Sequence, residues 1–236
     1  MIKMKKKVIW INLILAVLLI STIFFALTHG ASNFSMQKMT NSQLNILFNI
    51  RVPRIISALV AGASLSVSGA FFQATLRNPI AEPGIMGISS AASLCQLLAV
   101  IILPEIFFGK IIFAIIGGLL AFGLLLLFQK KMTPYQLIII GVALNAVFTG
   151  MQEVFTNNQN SGSSLATSSW GSTMYLLVIG IIGLICAICF MNWANYLKIN
   201  DEELTSLGVS AKTLRLVLML IAVVLAATTT ACIGVL

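Results

Sequence analysis

Seven separate runs of mostly apolar residues dominate the sequence, each close to the roughly 20 residues a helix needs to cross a bilayer. They are Val8–Leu27, Ile55–Leu76, Ile85–Leu103, Ile111–Phe128, Leu137–Phe155, Met174–Trp193 and Leu214–Leu236. They predict an all-α, polytopic transmembrane helix bundle of about seven spans. Hydrophobic residues make up 59% of the chain and charged residues 8%. Soluble domains carry about a quarter charged residues, so water is the wrong solvent for this surface and lipid the right one. The net charge of +8 comes from 14 Lys and Arg against 6 Asp and Glu. These basic residues sit between the apolar runs, where they anchor spans to the bilayer rather than bind nucleic acid.

The first run follows Lys3, Lys5, Lys6 and Lys7, as a signal peptide would. It is longer than a typical signal core, and no small-x-small cleavage site follows it. It reads as an uncleaved span with the N-terminus in the cytoplasm. Cytoplasmic segments then hold Lys3, Lys5, Lys6, Lys7, Arg77, Lys130, Lys131, Lys198, Lys212 and Arg215. External segments hold only Lys38, Arg51, Arg54 and Lys110, in accord with the positive-inside bias. Arg51 and Arg54 are exceptions that need a reason.

Two connecting segments carry information. Between the second and third runs lies Arg77-Asn78-Pro79-Ile80-Ala81-Glu82-Pro83-Gly84, where two prolines and a glycine forbid a continuous helix. Irregular backbone at membrane depth must be buried in protein or line a wet cavity. This segment is expected at the cytoplasmic interior of the bundle. Its plain structural reading is helix capping and an internal Arg77–Glu82 pair. The segment 195–213 is a polar cytoplasmic loop. Asp201, Glu202 and Glu203 open a short amphipathic helix, Leu207-Gly208-Val209 stops it, and a second short element follows. The second span is rich in small residues: Gly62, Ala63, Ser64, Ser66, Ser68, Gly69 and Ala70. Small residues allow close helix approach, so this span is expected at the centre of the bundle.

Several chemistries are disfavoured. Cys95, Cys186, Cys189 and Cys232 lie in apolar runs, and the Cys186-x-x-Cys189 pair has no second pair or nearby histidine. His29 is the single histidine. No catalytic, metal or cofactor site is expected. No phosphate-binding G-x-x-x-x-G-K-[ST] occurs, so any ATP must be hydrolysed on another subunit. Glu153 is the one acidic residue near a span interior. Ion-coupled carriers usually carry intramembrane ionisable groups, so a secondary transporter is the weaker reading.

Ordered blocks then become recognisable. Arg51-Val52-Pro53-Arg54, Gly62-Ala63, Ser68-Gly69, Gln73, Arg77-Asn78-Pro79, Ala81-Glu82-Pro83 and Gly87 come first. Gly141-Val142-Ala143-Leu144, Trp170-Gly171-Ser172 and Leu207-Gly208-Val209 follow in order. From about Arg51 to its end, the chain resembles the iron-siderophore and vitamin B12 (FecCD-type) permease family of ABC importers. The resemblance implies a single permease domain over 1–236, working with a second permease subunit, cytoplasmic ATPase subunits and an external substrate-binding protein. It implies an iron(III)-siderophore cargo, with haem or cobalamin as alternatives.

The resemblance also assigns residues. Arg51 and Arg54 dock the binding protein. Arg77, Asn78, Pro79, Glu82 and Pro83 form the cytoplasmic mouth, and Thr133, Pro134 and Tyr135 lie near the inner gate. Pro134 and Tyr135 replace the small hydroxyl residues of some members. Asp201, Glu202, Glu203, Leu207 and Gly208 couple to the ATPase. Family members have ten spans, so seven imply a domain incomplete at its C-terminus, and an inactive remnant is a further alternative.

Overall fold

The computed structural model describes residues 2–29, 41–102, 107–129, 134–156, 165, 169–206 and 208–234. These residues form α1 (Ile2–Thr28), α2 (Asn41–Ile46), a π-helical turn (Leu47–Arg51), α3 (Val52–Leu76) and α4 (Ile88–Ile102). They continue with α5 (Phe107–Gln129), α6 (Pro134–Thr156), α7 (Trp170–Tyr196), α8 (Asp201–Ser206) and α9 (Ala211–Ile233). No strand occurs among the described residues, so the all-α reading holds. Among the described residues, six helical stretches are long and apolar enough to cross a membrane. The least apolar are Tyr135–Phe155 and Asn41–Leu76.

The expected third span, Ile85–Leu103, is narrower than the sequence suggested. Its helix starts at Ile88 and has 15 residues. Residues 77–87 form a turn-rich connection instead of helix.

The chain divides into two compact units, Met1–Ile56 and Ser57–Leu236. In the first, Val8, Ile9, Trp10 and Ile11 are all more than half exposed. Four successive residues cover a full helical turn, so α1 presents apolar surface all round, as a lipid-bathed helix does. The π-helical turn ends just before Pro53. A proline ring clashes with the carbonyl four residues back, and a wider turn relieves that crowding. Arg51 donates from Nη1 to the carbonyl oxygen of Leu27 at 2.8 Å, meeting an unpaired carbonyl at the C-terminus of α1.

In the second unit the most enclosed span is α9, not the small-residue α3. The expectation of a central second span is therefore corrected. The small residues of α3 divide between two faces. Ser57, Ala61, Ser64 and Ser68 recur at helical spacing and are buried. Ser57 Oγ and Thr173 Oγ1 lie 2.9 Å apart, and Ser68 donates to the Ala222 carbonyl at 2.7 Å. Gly62, Ala63, Ser66 and Ala70 are exposed on the other side. One core runs from Phe71, Phe72 and Leu76 through Met86 and Ile88 to Leu218, Ala222 and Val223. α9 is further tied by Gln96, whose amide donates to the Ala231 carbonyl at 2.7 Å in its last turn.

Candidate functional site

The site grows out of the break after α3. Arg77 has a φ of +50°, which turns the chain out of the helix. Asn78 then organises the turn: its backbone N–H donates to Gln73 O at 3.2 Å. Its side-chain Oδ1 accepts from the Ile80 N–H at 3.0 Å. This is the local side-chain mimicry of backbone that suits Asn to turns. Asn78, Ala81 and Pro83 are buried, while Pro79 and Ile80 are exposed. Gly87 closes the segment with a φ of +77°, and its carbonyl accepts from the Ala91 N–H at 3.0 Å. A Cβ at Gly87 would meet Asn145 N at 3.0 Å and Gly141 O at 3.3 Å. A Cβ at Gly141 would come 2.8 Å from Met86 Cα. The connection therefore presses its backbone against α6 about two turns inside that helix, and only glycines permit it.

The connection also lines a partly polar cavity of about 420 Å³. One wall is α3, through Leu65, Ser66, Gly69, Ala70 and Gln73. A second is the connection, through Glu82, Pro83 and Gly84, joined by Ser89 of α4. The third is the end of α9, through Thr229, Thr230 and Gly234. The threonine protons are already used: Thr229 donates to Leu225 O at 2.7 Å and Thr230 to Ala226 O at 2.9 Å. Ser66 likewise donates to Gly62 O at 2.7 Å. These residues line the cavity together with Glu82. Of the residues assigned to the mouth, Glu82 and Pro83 line this cavity.

Arg77 and Asn78 do other work. The expected Arg77–Glu82 pair is not what Arg77 makes. Its Nε donates to Leu197 O at 3.1 Å and its Nη2 to Ile199 O at 2.7 Å, at the C-terminal end of α7. The same Nη2 reaches Asp201 Oδ1 at 3.0 Å. Arg215 of α9 donates to both oxygens of that carboxylate, at 2.7 and 2.9 Å. The carboxylate and C-terminal carbonyls outcompete Glu82 because they offer several acceptors in one fan, which suits a guanidinium. Asp201 thus collects two arginines from distant parts of the chain.

α8, which Asp201 opens, is anchored by a fully buried Leu204. It ends as the Leu-Gly stop predicts. Gly208 has a φ of +75°, its N–H donates to Thr205 O at 3.0 Å, and the Val209 N–H donates to Leu204 O at 3.0 Å. That is a Schellman ending. The second short element expected after it is absent as a separate piece. Ser210 caps α9, accepting from the Thr213 N–H, and α9 runs on from Ala211. Glu202 and Glu203 are exposed on α8.

Other assigned residues are scattered. Arg51 and Arg54 are half-buried around the start of α3. Pro134 is the first residue of α6, a position that suits its missing N–H, and Tyr135 is 73% exposed. Tyr135 is not among the cavity residues described above. Thr133 and Leu207 fall outside the described residues. The sequence reading missed Arg215 as a partner, counting it only as a flanking charge. It also gave no cavity role to Ser66, Gln73, Ser89 or the run Thr228-Thr229-Thr230. That polar run inside an apolar span was the available signal.

Apolar spans, a broken connection at a partly polar cavity and a charged cluster at the short helix α8 are the features of a multi-pass membrane subunit. Residues 9–236 match the FecCD transport family. The chain is 33% identical over 245 residues to the heme-iron transport system permease protein IsdF of Staphylococcus aureus strain NCTC 8325. That match covers 99% of this chain and 76% of the relative. The counterpart in strain Newman matches to the same extent. A solved structure, an inward-facing conformation of a metal-chelate type ABC transporter, superposes with a TM-score of 0.77 at 26% identity. It covers 96% of this chain and 78% of that one. The chain belongs to the FecCD transport family, as a permease of the ABC importer type.

Proposed function

We propose that the chain forms the membrane pathway of an importer for chelated iron, driven by ATP hydrolysed on separate cytoplasmic subunits. The observation that carries this is the polar cavity walled by α3, the 77–87 connection and α9 within a chain of this family. Haem is the first cargo to test, because the matched relatives are heme-iron permeases. A ferric siderophore is the second reading, favoured by the likeness to a metal-chelate type transporter. In this reading the protein sits in the cytoplasmic membrane beside a second permease subunit, with its N-terminus inside. An external binding protein delivers the cargo and docks on Arg51 and Arg54. Charge attraction at a wet rim suits an encounter that must also release.

The exposed carboxylates Glu202 and Glu203, with Asp201 and the 207–208 stop, form the surface that meets the ATPase. The mouth is Glu82 and Pro83, shaped by Arg77, Asn78 and Pro79, and the 133–135 segment is the inner gate. The test is uptake of iron-labelled haem and of an iron-labelled siderophore by a strain that lacks its own permease. The strain supplies the cognate ATPase and binding protein. ATP-dependent accumulation of either cargo supports the reading, and the stronger signal names the cargo. Uptake of neither, with the complex intact on purification, sinks it.

A further inference from the structure

We propose that Asp201 is a positioning residue for transport, a joint through which α8 moves both the loop wall and the α9 wall of the cavity. The inference rests on the reading that α8 meets the ATPase. Its own ground is the geometry of one carboxylate. Asp201 Oδ1 accepts from Arg77 Nη2 at 3.0 Å and from Arg215 Nη2 at 2.7 Å, and Oδ2 accepts from Arg215 Nη2 at 2.9 Å. Arg77 opens the connection whose Glu82, Pro83 and Gly84 line the cavity, and it stands four residues after the cavity residue Gln73. Arg215 lies on the helix whose far end supplies Thr229, Thr230 and Gly234. A shift of α8 is therefore handed to two walls at once through one side chain.

The strength of the joint suits this work. The side chains of Arg77, Asp201 and Arg215 are 42%, 46% and 25% exposed. Ion pairs wet to that degree add little to static stability. A brace would be buried, whereas a joint that loosens and reforms in every cycle should be solvated. The charges also make it directional. One carboxylate faces two guanidinium groups, so removing its charge removes the attraction that holds both and leaves the two like charges uncompensated there.

The experiment uses the transporter purified with its ATPase subunits, with the four native cysteines replaced and one cysteine placed at Ala70. That residue is exposed and lines the cavity. Its labelling rate by a hydrophilic maleimide is measured with and without a non-hydrolysable ATP analogue. ATP hydrolysis and subunit recovery are measured on the same samples. In the otherwise wild-type protein the analogue is expected to change the rate several-fold. In the complexes recovered, Asp201→Asn should abolish the change in rate. Asp201→Glu should restore most of it, and Lys198→Gln, a charge removed at the same end, should leave it intact.

An equal response in wild type and Asp201→Asn overturns the joint while leaving the importer reading standing. So does loss of the ATPase subunits from both Asp201 variants, because the residue is then only structural. A wild-type cavity that ignores the analogue sinks the ATPase-coupling reading itself, and the joint with it.

Discussion

Arg77 shows where a single residue escapes sequence reasoning. Its nearest acid in sequence is Glu82, five positions on, and proximity suggests that pair. The acid it reaches is Asp201, 124 positions away. Spacing cannot reveal such a contact, because it depends on α3 and α7 ending, and α8 starting, at one place. Asn78 was legible by contrast, since its turn is made with Gln73, Ile80 and Ala81, all within a few residues. Gly87 lies between these cases. A glycine after Pro83-Gly84 announces a turn, but its contact with Gly141 needs the fold. Gly87→Ala is expected to destabilise the purified protein by about 1–3 kcal/mol, the cost of holding a side chain in a sparsely populated backbone region. Gly62 has nothing within 4 Å of a built Cβ, so Gly62→Ala should be neutral or stabilise by about 0.5–1 kcal/mol. Thermal unfolding of both variants in one detergent is the check. Equal stabilities would mean that the Gly87 crossing is loose.

Among the elements, the long apolar helices were readable because about 20 apolar residues in a row admit few alternatives. The stop of α8 was readable from Gly208. Replacing Gly208 with Ala should fray α8 at a cost of about 1 kcal/mol, from the positive φ it must hold. Recovery of the ATPase on a tagged permease should fall with it, and unchanged recovery would argue that α8 is not the contact. The start of α9 was misjudged because Ser210 starts the helix by capping it, and a polar Lys212-Thr213 turn looks like loop. The late start of α4 was hidden for a related reason: Ile85 and Met86 are apolar but sit in the turn. α3 looked central by composition, yet only one of its small-residue faces is covered. Its attachment includes a hydroxyl bond to a carbonyl of α9, so Ser68→Ala should cost roughly 0.6 kcal/mol, the average for such bonds between membrane helices. Unfolding by denaturing detergent, compared with wild type, measures it.

For the whole molecule, the distribution of Lys and Arg makes one prediction that bears on every assignment of inside and outside. In intact cells a membrane-impermeant thiol reagent should label a cysteine at His29 and fail to label one at Lys198. The reverse pattern would invert the chain and remove the docking role of Arg51 and Arg54. Family and fold class were legible because ordered short blocks and hydropathy survive in a single sequence. The cargo was not, because cavity walls are assembled from α3, a connection and α9, and no local pattern describes their joint shape. The unequal apolarity of the spans has a consequence for how the protein is made. Asn41–Leu76 and Tyr135–Phe155, the least apolar stretches, each come soon after a strongly apolar one, Lys6–Thr28 and Gly109–Phe128. A ribosome delivers the chain in that order, so each reluctant segment reaches the insertion machinery just behind one that enters readily. Biosynthesis then proceeds by hairpins, the first helix of each holding the second at the membrane until its neighbours arrive.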